Sequence, residues 1–261
     1  MSALKSGVVG IENFIGNVRR IVEMYRNGFL GGEVMPEDAL LRVVPPEHLP
    51  DVLTLGMALN YQRNSYKLWE SVAATFEDAD CRWLFSPSLV AVKTVDELRP
   101  ALLQYRVGLQ PNRHPEIWKR VAMGIATSSP SKDVPGLITS VNADISELKS
   151  VIQETRKSEF PYLSGPKIFN YWLYVMESYT GVTWQHRELI TIAPDTHIIK
   201  ATVKLGLCTD EVLNGTAEDR QTISEAWEKA LQGTGLAPID VHTPLWLWSR
   251  SGFIALNELP S

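Results

Sequence analysis

Apolar residues recur every three or four positions along most of the chain. Ile11, Phe14, Ile15, Val18, Ile21, Val22 and Tyr25 fall at that spacing, and so do Ile223, Ala226, Trp227, Ala230 and Leu231. A helix of 3.6 residues per turn places each set on one face, and that face must be buried. A further stripe joins Ile145, Leu148, Val151 and Ile152, while strand-like alternation is scarce. Thr94 and Glu97 fit a capping box ahead of Leu98, each side chain satisfying an amide that the helix start leaves free. Pro, Gly and Ser mark the breaks at Gly31-Gly32, Pro45-Pro46, Ser86-Pro87-Ser88, Ser128 to Pro135 and Gly233 to Pro238. None is long or polar enough for a free linker. The pattern predicts a compact all-α protein, with two lobes allowed.

The chain of 261 residues has ample length for a buried core, and 44% apolar with 21% charged residues is an ordinary globular balance. No run of 18 apolar residues occurs, so no membrane span is expected. The start, MSALKSGVVGIENF, lacks the apolar core of a signal peptide. Cys81 and Cys208 stand far apart and form neither a zinc pattern nor an iron–sulfur set. A reducing, cytoplasmic setting and no metal cofactor are therefore expected. The net charge of −5 predicts no general affinity for nucleic acid, so any DNA site must be local. One stretch is locally basic, with Arg106, Arg113, Lys119 and Arg120 set against Glu116.

The segment LSGPKIFNYWL, residues 163 to 173, places a lone charge, Lys167, at the head of an apolar run. Pro166 suits the first helical position, where its missing N–H is not needed. Ile168, Phe169, Tyr171, Trp172, Leu173, Val175 and Met176 predict a buried helix over about 166–179. A lysine at a helix start opposes the dipole, at a cost of about 0.3–1 kcal/mol. The dipole and an apolar setting would both disfavour the charged ammonium. Pro161 and Gly165 bracket a tight turn before this helix, and free N–H groups at such a turn can bind phosphate.

Further along, IAPDTHIIKATVKLGL covers residues 192 to 207. Pro194 disfavours helix before it, Asp195 is placed to cap the next helix, and Gly206 to end it.

These segments together resemble the helix-hairpin-helix DNA glycosylase superfamily, which includes endonuclease III and the 8-oxoguanine glycosylases, the archaeal group among them. The likeness rests on a hairpin ending in Gly165-Pro166-Lys167, followed by Asp195-Thr196-His197-Ile198 and Leu205-Gly206-Leu207. FSPSLVAVKTVDELRPALLQYRVG, PEIWKRVAMGIA and MALNYQRNSYKLWESV are similar to earlier helices of the family. The resemblance spans about residues 50 to 255. It implies an all-α, two-lobed fold, with one lobe from 1–83 plus 191–261 and a middle lobe of 84–190. The helix-hairpin-helix would occupy about 146–179, and the active site a cleft between the lobes.

The implied activity is base excision with AP (β-) lyase chemistry. A damaged base, 8-oxoguanine above all, is flipped from duplex DNA and its glycosidic bond is cut. Lys167 would attack the sugar and form a Schiff base, and Asp195 would stabilise the positive charge that builds there. Gln62, Asn64, Tyr171 and Trp248 would line the base pocket. Gly165, Ser164, Arg113 and Lys119 would hold phosphates. The implied partner is double-stranded DNA with a damaged base, met by a monomer. No cofactor is implied beyond a monovalent cation that a hairpin of this kind can accept.

The chain also departs from the family. Phe160-Pro161-Tyr162-Leu163-Ser164-Gly165 replaces the usual Leu-Pro-Gly-Val-Gly, which puts phosphate binding by the hairpin in doubt. GVTWQHRELITIA lengthens the interval from Lys167 to Asp195 relative to endonuclease III, a feature shared with the archaeal group. The iron–sulfur cysteines of endonuclease III are missing.

Each residue has a plainer reading. Lys167 is a solvated lysine beside a turn, Asp195 only a cap, and His197 a first-turn polar residue. Gln62 and Asn64 face solvent, while Tyr171, Trp246 and Trp248 pack the core. Two other functions fit: a non-catalytic helical DNA-binding or lesion-sensing protein, and a glycosylase for uracil or alkylated bases.

Overall fold

A computed structural model describes residues 8–30 and 35–256. It is all-α: among the described residues the only β feature is an isolated bridge between Asp144 and Gln185. The α-helices run in chain order as α1 Val8–Arg26, α2 Leu49–Met57, α3 Ser65–Glu77, α4 Pro87–Ala91, α5 Val95–Gln104 and α6 His114–Ser128. They continue as α7 Val134–Ser140, α8 Ile145–Lys149, α9 Pro166–Thr180, α10 Thr196–Lys204, α11 Ala217–Leu231 and α12 Pro238–Arg250. Short 3-10 turns and one π segment, Ser150–Thr155, join them. None of the described helices is long and apolar enough to cross a membrane.

Local signals act where the sequence places them. Thr94 and Glu97 make the capping box of α5, with the Glu97 carboxylate accepting from the Thr94 N–H at 2.7 Å. Pro166 opens α9, and Gly206 follows α10 with φ 76°, a conformation that a Cβ would strain. The Gly31-Gly32 turn and the side chain of Ile11 lie outside the described residues.

The chain forms two compact units at boundaries other than those expected. One comprises the described parts of Met1–Glu33 and Glu188–Ser261, and the other is Val34–Arg187. Residues 34–83, expected with the chain ends, belong to the second. The cause is long-range packing. On α2 the Thr54 hydroxyl accepts from Trp172 Nε1 of α9 at 2.9 Å, 118 residues away. Gly56 of α2 faces α3 so closely that a Cβ there would come 2.6 Å from Trp69.

The Val34–Arg187 unit is built around α9, where Ile168, Phe169, Trp172, Leu173, Val175 and Met176 are buried. The turn before α9 is anchored by buried Phe160, which lies against α6. Gly124 makes room for it, since a Cβ there would meet the Phe160 ring at 2.9 Å. The other unit packs α1, α10, α11 and α12 around Ile21, Ile198, Ile223, Trp227 and Leu245. One of its buried polar groups, the Thr202 hydroxyl, accepts from Trp227 Nε1 at 2.9 Å.

Candidate active-site residues

Lys167 sits in the first turn of α9 and is exposed. No acidic side chain pairs with it among the described residues. The expected apolar setting is therefore absent from this unit, because the buried face of α9 begins at Ile168. Its place at the N-terminus of a 15-residue helix sets its charge against the helix dipole. No side chain caps α9, so its first amides stay available.

The hairpin amides are not available, which corrects the phosphate roles expected of Ser164 and Gly165. The Ser164 N–H donates to Phe160 O at 2.8 Å, and the Gly165 N–H to Tyr162 O at 2.9 Å. Leu163 N–H likewise donates to Pro161 O at 2.8 Å. The turn closes on itself because Tyr162 takes φ 63° and directs its carbonyl at the Gly165 amide. The Ser164 carbonyl accepts from Gln153 Nε2 at 3.0 Å. The carbonyls of Phe160, Pro161, Tyr162 and Ser164 each accept one hydrogen bond within this turn or from Gln153. Among the described residues, no three His, Cys, Asp or Glu side chains gather to hold a metal ion.

Asp195 is the N-cap of α10, as the sequence predicts. Its Oδ1 accepts from the His197 N–H at 2.9 Å and the Ile198 N–H at 3.0 Å. Both bonds fall on one oxygen, and among the described residues no bond engages Oδ2. The preceding bend is held by Arg220, whose Nη1 donates to Pro194 O at 2.7 Å. His197 packs edge-on against Trp246 and reaches Ser249 Oγ at 3.3 Å.

The expected base-pocket residues divide. Trp248 is 4% exposed, its indole N–H donates to Ile254 O at 2.9 Å, and its ring meets Phe253 edge-on. It is core, which corrects the pocket role: the α12 stripe that carries it faces inward. Asn64 caps α3 by accepting from the Lys67 N–H at 3.0 Å, so its oxygen is committed to the helix start. Gln62 is exposed, with φ 50°. The Tyr171 hydroxyl, one turn beyond Lys167, donates to Glu37 Oε1 at 2.9 Å. Of the expected phosphate cations, Arg113 is exposed with its guanidinium over the Tyr162 ring, and Lys119 is half-buried on α6.

Glu37 went unnoticed in the sequence, where a charged residue in a Pro-Glu-Asp turn reads as solvated. It is 0% exposed, and among the described residues no well-formed hydrogen bond reaches its buried Oε2, although the equally unpaired Trp69 Nε1 is close enough to favour its charged form. Burial, offset in part by a backbone hydrogen bond and the Tyr171 hydroxyl, lifts its carboxyl from the ordinary 4.5 to about 7. Burial likewise lifts Asp51 to about 7, against the hydrogen bond it accepts from the Val134 N–H. A carboxyl held protonated in the fold stabilises it fully below its unfolded value, and the benefit is lost as pH rises through the folded value. For Glu37 the window is therefore about pH 4.5 to 7, and the loss is on the order of 3 kcal/mol. Glu37→Gln should flatten the fall in melting temperature across that window and raise it at pH 8 by about 6–12 °C. Melting curves from pH 4.5 to 8 measure this, and an unchanged slope in the variant would assign the pH dependence to other groups.

The chain matches no family model, and neither a curated protein nor a solved structure matches it.

Proposed function

We propose that this protein is a helix-hairpin-helix DNA glycosylase with β-lyase activity, acting on duplex DNA that carries a damaged base. The observation that carries the reading is Lys167: an exposed lysine, unpaired among the described residues, in the first turn of a helix with one buried face, directly after a tight turn. In the proposed reaction the neutral Nζ of Lys167 attacks sugar C1′ as the C1′–N bond to the base breaks, and the base leaves with that electron pair. The nitrogen lone pair then breaks the C1′–O4′ bond, giving the Schiff base and leaving O4′ as a hydroxyl, and removal of a C2′ proton expels the 3′ phosphate. Asp195, with Oδ2 unengaged, would stabilise the positive charge that develops on the sugar. An oxidised purine, 8-oxoguanine first, is the proposed base, on resemblance alone.

Borohydride trapping on single-lesion duplexes tests the reading: an enzyme of this kind gives a covalent protein–DNA adduct. The exposure of Lys167 favours a second reading, in which the lysine stays an ammonium and the protein binds DNA without cutting it. Lesion-duplex binding without an adduct would establish that reading and exclude the lyase.

Binding by a chain of net charge −5 must come from short-range contacts. Each phosphate neutralised by a lysine or arginine adds about 0.9 to the logarithmic salt slope. Changing Arg113 and Lys119 together to Glu should weaken lesion and undamaged duplex alike and flatten the slope by about two units. A wild-type affinity indifferent to salt would remove these cations from the DNA interface.

A further inference from the structure

The loop after α2 and the turn before α9 meet at one corner of the Val34–Arg187 unit. There the rings of Tyr61 and Tyr162 stack, with centroids 4.6 Å apart and planes at 26°. The Arg113 guanidinium lies over the Tyr162 ring, 5.2 Å from its centroid. Tyr162 is half-buried, whereas Tyr61 remains 46% exposed. Among the described residues, no hydrogen bond holds the Tyr61 hydroxyl, and no further ring or cation lies against its ring. The column thus runs from Arg113 through Tyr162 to Tyr61 and is open at Tyr61.

Two other features converge on this corner. Gln62, Arg106 and Tyr162 all take left-handed conformations, with φ of 50°, 64° and 63°. Side chains with a Cβ adopt these at a cost, and such strain gathers where a surface is shaped for use. Arg63 ties the pieces together, donating to Val107 O at 2.7 Å and Arg106 O at 3.2 Å. In addition, Arg63, Arg106 and Arg113 have no acidic partner among the described residues. In an acidic chain, three unneutralised arginines beside an open aromatic face mark a local contrast.

We infer that the Tyr61–Tyr162–Arg113 column is a stacking ledge for an unpaired nucleobase in DNA, held in place by Arg63 and with Arg106 beside it for a flanking phosphate. The inference rests on the DNA reading proposed above. An aromatic face recognises any base by stacking, and cations nearby select a ligand whose flat ring is linked to phosphate. A paired base is already stacked on both sides, so only a nucleotide displaced from the duplex or in a single strand offers its face. The ledge replaces the hairpin's amide contacts: Tyr162 closes the turn on its own N–H groups and in the same step presents its ring to Tyr61.

The test uses the full chain with three fluorescein-labelled DNAs, read by anisotropy. These are a fully paired duplex, the same duplex with one bulged 2-aminopurine, and the single strand containing that base. The bulged duplex should bind roughly tenfold more tightly than the paired one, and 2-aminopurine emission should fall as the base stacks. Tyr61→Ala should lose both the preference and the quenching while its affinity for paired duplex is nearly unchanged. Tyr61→Phe should keep both, because the ring and not the hydroxyl makes the contact. Single strand bound as tightly as the bulge assigns recognition to the base alone, and a tighter bulge adds contacts to the flanking duplex; both support the ledge. Equal wild-type affinity for bulged and paired DNA overturns it, as does preference with quenching that survives Tyr61→Ala. Borohydride trapping in parallel separates the two readings. An adduct without the Tyr61-dependent preference leaves the glycosylase and removes the ledge, and the preference without an adduct does the reverse.

Discussion

Replacing Lys167 with Gln is expected to abolish borohydride trapping and strand cleavage while leaving thermal unfolding at or slightly above the wild-type temperature. The side chain is exposed and unpaired, so its loss removes no packing and no ion pair. A surface change of this kind stays within about 0.5 kcal/mol. Removing a cation from a helix start relieves about 0.3–1 kcal/mol more. Chemistry and stability therefore separate cleanly at this position: a folded variant that no longer forms the adduct has lost the nucleophile and nothing else. Lys167→Arg sharpens the result. It keeps the positive charge for DNA but offers no amine that can become neutral near pH 7. Duplex binding with no adduct is the expected outcome for it. Trapping at the wild-type level in either variant would mean that another amine attacks the sugar.

The second large effect is expected at Asp195. Asp195→Asn keeps a side-chain oxygen for the His197 and Ile198 amides, which now donate to Oδ1 at 2.9 and 3.0 Å. Asn and Asp cap helices about equally, so the melting temperature should barely move, whereas Asp195→Ala should cost about 1 kcal/mol. Turnover should fall by about a hundredfold or more in Asn, because the amide nitrogen that replaces Oδ2 carries no negative charge for the developing sugar cation. Single-turnover excision and thermal melts on both variants check this. If the Asn variant excises at the wild-type rate, Asp195 is a cap and no more.

What the sequence determined by itself was local. The i, i+3, i+4 stripes placed α1 and α11, and the apolar run after Lys167 placed α9, within a few residues. Thr94 with Glu97, Asp195, Pro166 and Gly206 marked helix ends correctly. All of these depend on neighbours within one or two turns, so they are written in adjacent letters. The tertiary structure alone decided the rest. The unit boundary follows from Thr54 meeting Trp172 across 118 residues, a pairing that no local pattern carries. The burial of Trp248 and the exposure of Lys167 each depend on which face a distant element covers. So does the burial of Glu37, whose neighbours in sequence suggest water and whose partner Tyr171 lies 134 residues away. The stack of Tyr61 on Tyr162 is of the same kind. A residue's type fixes the interactions it can make, but burial and partnership belong to pairs of segments that only the folded chain brings together.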